Sequence, residues 1–266
     1  MWERGWHKMG AMNGGAAASV PTDLLGPLNL EEQRYAPKEL FAAGHAEWLR
    51  QQPRVAVVGA RKASPDGVKR AAKLARVLVE HRAAVVSGLA EGIDAAAHTA
   101  AIEAGGRTIA VIGTPLSTTY PKHHYELQQR LMREHLVLSQ FPEGYPTSRK
   151  SFPLRNRLMA LISDASVIVE ASDGSGSLSL GWEVLRLGRP LFLMASILDR
   201  RDLAWPETMI EYGAMVLRSP GDLLAALPEF VDDPLGKAHF ESLSDGTDSP
   251  AQFKLARVLQ ELLTGD

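Results

Sequence analysis

The sequence contains no cysteine among its 266 residues. This absence excludes disulfide bonds, thiolate nucleophiles and cysteine metal ligands, and it is compatible with a reducing cytoplasm. A continuous apolar run of the roughly 20 residues that span a bilayer is also missing. The N-terminal residues lack the apolar core of a signal peptide. We therefore expect a soluble, cytoplasmic protein without a membrane segment.

The chain also lacks an excess of charge of either sign. Its 29 Lys and Arg residues and 31 Asp and Glu residues give a formal net charge of −2. A nucleic-acid partner would therefore have to bind a local basic patch. Hydrophobic residues make up 45% of the chain and charged residues 23%, which excludes global disorder and allows a sizeable core.

Several common motifs are missing. No G-x-x-x-x-G-K-[ST] occurs and no G-x-G-x-x-G follows the first core strand, which disfavours a P-loop NTPase and an ordinary dinucleotide-binding protein. The G-x-S-x-G nucleophile elbow is absent too. His123 and His124 are adjacent, so we assign them to the surface, and we assign Asp94 and His98 to a structural pair on one helix. We expect no metal and no cofactor.

From Arg54 onward, short apolar runs alternate with stretches of helical periodicity. The predicted strands are RVAVVGA (54–60), AAVVSG (83–88), TIAVIG (108–113), LVLS (136–139), SVIVEA (166–171), PLFLM (190–194) and AMVL (214–217). Because these strands are apolar on both faces and are joined by helices, the sequence predicts an α/β fold. Its sheet should be mostly parallel, with helices on both faces.

The two ends of the chain have a different composition. Residues 1–30 are rich in glycine and alanine, and we predict a mobile leader there. An edge strand over 37–44 should open the domain, which extends over residues 31–228. After Pro228, residues 229–266 are predicted to form a linker and one short helix.

Four loops combine small residues or cations in an unusual way: VGARKAS (58–64), SGLAEGID (87–94), SRKSFPLRNR (148–157) and DGSGSLS (173–179). In open parallel sheets, ligands bind beyond the carboxyl ends of the strands. Guanidinium groups bind phosphate bidentately, and small residues let backbone N–H groups approach it. Each loop alone could be a turn or a solvated surface. Together, at one edge of the sheet, they indicate a ligand that carries phosphate.

These segments resemble the DprA/Smf family of DNA-processing proteins. The resemblance runs from about Tyr35 to Met194 and includes the elements G-[SA]-R, S-G-x-A-x-G-I-D-x-x-A-H, F-P-x-R-N-R and S-G-S-L. It implies an extended Rossmann-like domain that binds single-stranded DNA and forms a homodimer. It also implies a role in loading the RecA recombinase during recombination or natural transformation, without catalytic turnover.

The resemblance further implies a DNA-binding pocket. Its residues would be Arg61, Ser87, Gly88, Lys150, Phe152, Arg155, Asn156, Arg157, Gly174, Ser175, Gly176 and Ser177. Elementary chemistry agrees, because single strands need cations for phosphates and an aromatic ring for base stacking. Phe152, which lies among four cations, is the predicted stacking platform.

The sequence departs from the family at Leu180–Glu183, where Thr-Ala-Arg is usual. From the length of the two ends, we expect neither the N-terminal helical domain nor the C-terminal winged helix that the family often carries. Two alternatives stay open. In LOG-type phosphoribohydrolases an arginine and a glutamate cleave nucleoside monophosphates, and Arg155 and Glu183 could take those roles. However, Glu183 lies six residues after Ser177, where that motif needs three. The second alternative is a sensor that binds a nucleotide without cleaving it.

Overall fold

A computed structural model describes residues 17–19, 21–50 and 53–228. Within these residues, nine strands form one sheet in the order β1-β2-β6-β5-β4-β3-β7-β8-β9. The strands are Ala17–Ser19 (β1), Leu40–Gly44 (β2), Arg54–Gly59 (β3), Ala84–Ser87 (β4), Thr108–Ile112 (β5), Leu136–Ser139 (β6), Ala165–Glu170 (β7), Leu191–Met194 (β8) and Met215–Leu217 (β9). All neighbouring pairs from β6 to β9 are parallel, whereas β1 and β2 are added antiparallel. The predicted α/β class is confirmed.

Helices cover both faces of the sheet. They are Pro21–Leu25 (α1), Leu30–Tyr35 (α2), Pro65–Glu80 (α3), Ile93–Glu103 (α4), Tyr125–Glu134 (α5), Ser151–Ile162 (α6), Gly176–Arg186 (α7), Ala195–Leu198 (α8), Trp205–Glu211 (α9) and Pro220–Leu224 (α10). Short 3-10 turns occupy Ala46–Arg50 and Lys122–His124. None of these helices is long and apolar enough to cross a membrane.

Side chains of β3 alternate between two of the buried hydrophobic clusters, one on each face of the sheet. Val55 and Val57 of β3 pack with α3 and α4 on one face, while Ala56 and Val58 pack with α6 and α7 on the other. Both sets are buried, which explains why the strand reads as a continuous apolar run. At the start of helix α3, the Ser64 hydroxyl accepts from the N–H of Gly67 at 3.0 Å, and Pro65 lies in the first turn.

The predicted mobile leader is wrong for part of its length. Ala17–Ser19 pairs with β2 as the outer strand, so β2 is not the edge strand that the sequence predicts. Leu24 of α1 is 2% exposed and packs in the larger core with Leu40 and Leu49. A run of small residues gives little β-propensity, and this strand forms because an existing edge offers it hydrogen bonds. Residues 1–16 and the predicted linker and helix over 229–266 lie outside the described residues.

The loops with unusual chemistry follow β3, β4, β6 and β7. Parallel strands end at the same edge of a sheet, and β3, β4, β5 and β7 are neighbours, so the loops after these strands lie beside one another. The strand order reverses between β3 and β7, which is the position where doubly wound proteins usually bind ligands.

His98 joins α4 to the sheet through buried polar contacts. Its Nδ1 atom lies 2.7 Å from the Thr108 hydroxyl of β5, which in turn donates to the Val85 carbonyl of β4 at 2.9 Å. Burial, with smaller effects from His135, His124 and Arg155, lowers the pKa of His98 from 6.5 to about 3. The ring is therefore neutral in the folded protein.

We predict that His98 makes the protein sensitive to acid. Between pH 6.5 and about 3, the unfolded chain binds a proton at this ring that the folded chain does not. The contribution of His98 to the free energy of unfolding should therefore be fully present above pH 6.5. It should be lost as the pH falls, by up to about 1.4 kcal/mol per pH unit. The free energy of unfolding in urea, measured from pH 7 to pH 4, should decline more steeply for the parent than for His98→Gln.

Parallel pH profiles of the two proteins would contradict this prediction. If His98→Gln does not fold, the ring can be followed by NMR in the parent. Chemical shifts of the His98 ring that change with a midpoint near pH 6.5 would also contradict the prediction.

Candidate nucleic-acid interface

A cavity of about 60 Å³ lies beyond the carboxyl ends of β3, β4 and β5. Residues from three successive strand ends and from the start of α6 line it. They include Arg61, Gly88, Gly113, Tyr120, Phe152 and Arg155. The structure thus brings together two predicted cations, one predicted glycine and the predicted aromatic residue.

Arg155 lies against the inner wall of this cavity. Its side chain is 6% exposed, and its Nη1 atom donates to the Val111 carbonyl of β5 at 3.0 Å. A Cβ atom on Gly88 would lie 1.4 Å from the same nitrogen, so only glycine leaves room for the guanidinium group. Close approach of the arginine, rather than an unusual backbone angle, is what requires glycine at this position.

Asp94 provides the opposite charge. Its Oδ2 atom accepts from the backbone N–H groups of Gly88 at 3.2 Å and Ala90 at 3.4 Å. Burial raises the pKa of Asp94, and the charge of Arg155 opposes that shift. For Arg155 the effect of burial has the opposite sign, because burial lowers the pKa of a cation. The charge of Asp94 opposes this lowering of the Arg155 pKa, and the charge of Arg61 adds to it. The carboxylate therefore both holds the loop after β4 and offsets the buried cation.

Phe152 is half-buried at the cavity, in the first turn of α6. The Arg61 guanidinium lies over its ring, 5.2 Å from the ring centroid, and the Tyr120 ring lies 5.4 Å away at an angle of 49°. Helix α6, which carries Phe152, begins at Ser151. Pro153 does not prevent this start, because backbone N–H groups in the first turn have no partner within the helix.

Three other predicted residues surround the cavity without lining it. The Ser87 hydroxyl is buried and donates to the Val57 carbonyl at 2.7 Å. Asn156 is buried and donates from Nδ2 to the Gly176 carbonyl at 3.0 Å, which connects α6 to the start of α7. Lys150 is exposed just before α6.

The glycine- and serine-rich loop lies after β7, beside the cavity. Gly174 and Gly176 are exposed, and the hydroxyl oxygens of Ser175 and Ser177 are 2.8 Å apart. Among the described residues, this loop touches the site through Asn156. Its contribution to ligand binding stays a prediction.

Arg157 and Glu183 belong to a different cluster. Arg157 lies 3.4 Å from Glu183, which also pairs with Arg186 at 2.6 Å, and both guanidinium groups lie over the Tyr35 ring. Glu183 does not line the cavity that contains Arg155. The pair required for phosphoribohydrolase chemistry is therefore not assembled around this cavity, and nothing in the geometry favours that alternative.

Glu170 lies at the position where the pyrophosphate of a dinucleotide usually binds, and none of the sequence motifs pointed to it. Its carboxylate accepts from the Ser64 backbone N–H at 2.8 Å and from the Ser64 hydroxyl at 2.5 Å, at the N-terminus of α3. Arg70 lies 3.6 Å from the same carboxylate. A pyrophosphate normally occupies such a helix N-terminus. A glutamate at the end of an otherwise apolar strand was the available signal.

The loop after β5 was also missed, because it carries neither a glycine-rich motif nor a cationic cluster. Gly113, Thr114, Tyr120 and Pro121 all line the cavity. The signal that could have identified it was its position after a central strand. Within the described residues, no group of three or more His, Asp or Glu side chains could hold a metal ion.

Comparison with known proteins supports a family assignment. The chain is 41% identical over 200 residues to DNA processing protein DprA of Streptococcus pneumoniae, covering 75% of this chain and 70% of that protein. It is 36% identical over 211 residues to Protein Smf of Synechocystis, covering 78% of this chain and 53% of the relative. The chain thus spans about half to two thirds of several longer relatives.

Solved structures agree with the sequence comparison. The X-ray structure of DprA from Streptococcus pneumoniae superposes with a TM-score of 0.72 at 38% identity, covering 83% of this chain and 76% of that one. DNA processing protein A from Helicobacter pylori gives a TM-score of 0.66 at 26% identity, covering 79% and 94%. The model of the family described as DNA recombination-mediator protein A matches residues 20–228. With the described domain almost wholly inside that match, the chain belongs to the DNA recombination-mediator protein A family, the DprA/Smf proteins.

Proposed function

We propose that this protein binds single-stranded DNA at the cavity beyond β3, β4 and β5, and that it acts in DNA processing as a recombination mediator. The observation that carries the proposal is the placement of Arg61, Phe152 and Tyr120 beside one another above the buried Arg155. Cations for phosphates and aromatic rings for bases are the two requirements of single-strand recognition.

The relatives support the same ligand. The structure from Helicobacter pylori is described as revealing a single-stranded DNA binding mode of DNA processing protein A. Here the cavity is about 60 Å³ and lies at the junction of several loops. Its lining combines the two kinds of side chain that a single strand requires, a cation and aromatic rings.

The proposal extends to partners that the family resemblance implies. We propose a homodimer in the cytoplasm that delivers its single strand to RecA. Glu170 occupies the usual dinucleotide position, which argues against the nucleotide-sensor alternative.

A binding comparison tests the proposal directly. We expect a fluorescent oligo-dT to bind at least ten times more tightly than a duplex of equal length, because stacking on the rings requires unpaired bases. AMP incubated with the protein should release no free adenine. Equal affinity for both DNAs, or hydrolysis of AMP at the glycosidic bond, would contradict the proposed function.

We predict that Arg61→Ala and Lys150→Ala each weaken oligo-dT binding and make its salt dependence shallower. Each lost phosphate contact should reduce the slope of log K against log salt by about 0.7. Lys73→Ala is the matched control, since Lys73 is exposed about two turns into α3, whereas Lys150 directly precedes the first turn of α6 that carries Phe152. The slope should be measured between about 50 and 300 mM salt. An unchanged slope in both variants would show that the strand binds at another surface.

Phe152 should behave as part of an aromatic contact surface. We expect Phe152→Ala to weaken oligo-dT binding at least about five-fold and Phe152→Trp to bind nearly as the parent does, because any aromatic ring offers a stacking face. Thermal melting should change little, because the ring is only half-buried. If both variants melt early and bind in proportion to their folded fraction, Phe152 acts as a core residue instead.

A further inference from the structure

Tyr120 is the most accessible aromatic ring at the cavity. It follows β5, and its side chain is 48% exposed although the residue lines the cavity wall. Within the described part of the chain, its ring contacts the Phe152 ring at 5.4 Å and its hydroxyl group has no hydrogen-bond partner. The ring is therefore partly open to solvent, and its hydroxyl group does not tie it to the protein.

Phe152 offers less free surface than the sequence suggests. Arg61 lies over its ring at 5.2 Å from the centroid. The backbone of Gly113 approaches its edge so closely that a Cβ atom there would lie 3.0 Å from Phe152 Cδ1. Arg61 therefore covers part of the Phe152 ring, whereas Tyr120 is exposed as it stands.

The loop that carries Tyr120 is held in place by side-chain hydrogen bonds. Thr114 donates to the Thr118 carbonyl at 2.7 Å, and Ser139 of β6 donates to the Thr114 carbonyl at 2.6 Å. Gln128 of α5 donates to the Leu116 carbonyl at 2.9 Å. Because the loop is already ordered, a ligand that stacks on Tyr120 need not order the backbone, which reduces the entropic cost of binding.

We propose that Tyr120 is a base-stacking residue of the single-strand interface, so that the strand contacts two neighbouring rings rather than Phe152 alone. This inference rests on the proposed function. In this arrangement the Arg61 guanidinium group binds the phosphates, while a base stacks on the Tyr120 ring. Tyr120 should therefore contribute to affinity through the base and leave the number of phosphate contacts unchanged.

The test uses the full chain and two strands with the same number of phosphates. One is oligo-dT, and the other is an abasic strand of equal length. Tyr120→Ala and Tyr120→Leu remove the aromatic ring, whereas Tyr120→Phe keeps it. Tyr125→Ala is the matched control, because Tyr125 is 54% exposed only five residues further on and does not line the cavity. Melting temperatures establish that each variant is folded.

We expect Tyr120→Ala and Tyr120→Leu to weaken oligo-dT binding at least about five-fold while binding the abasic strand as the parent does. Tyr120→Phe should bind both strands as the parent does, and the salt slope should stay the same in all three variants. Equal losses for both strands, an equal loss in Tyr125→Ala, or full retention of oligo-dT binding by Tyr120→Ala would overturn the inference. A parent protein that fails to bind oligo-dT at all would instead remove the proposed function itself.

Discussion

The buried guanidinium group of Arg155 is the constraint on which the site depends. A charge taken out of water costs several kcal/mol unless hydrogen bonds and opposite charge compensate for it. Here the Val111 carbonyl accepts from it, Asp94 provides the opposite charge, and Gly88 leaves the space that it fills. The end of β5, the loop after β4 and the first turns of α6 must therefore keep fixed relative positions.

This arrangement separates residues that build the site from residues that face the solvent. The Ser87 hydroxyl, the Asp94 carboxylate and the Nδ1 atom of His98 are buried and bind the backbone or another side chain. Arg61 and Lys150 are exposed at the same edge of the sheet. Exposed cations retain their hydration and can exchange it for phosphate contacts, whereas the buried polar groups are already committed to the fold.

In our proposal, the site lies away from the position where a Rossmann-like sheet usually binds a dinucleotide. Glu170 places a carboxylate at the N-terminus of α3, where it accepts from the Ser64 backbone N–H and from the Ser64 hydroxyl. The cavity lies instead over β3, β4 and β5. A long polymer can run across such an open edge, whereas a crevice closed on both sides would admit only a small ligand.

The α/β class, the helices on both faces and the loops at one edge were determined by the sequence itself, because apolar runs of strand length joined by helical stretches have few other ways to be buried. Only the tertiary structure decided which residues meet. Arg155 reaches Val111, 44 positions away, whereas Arg157, two positions later on the helix, turns to Glu183. Helical geometry puts the two arginines on different sides of α6. Which of them is buried, which partner each one binds and why the Tyr120 ring is exposed depend on long-range packing that no local pattern encodes.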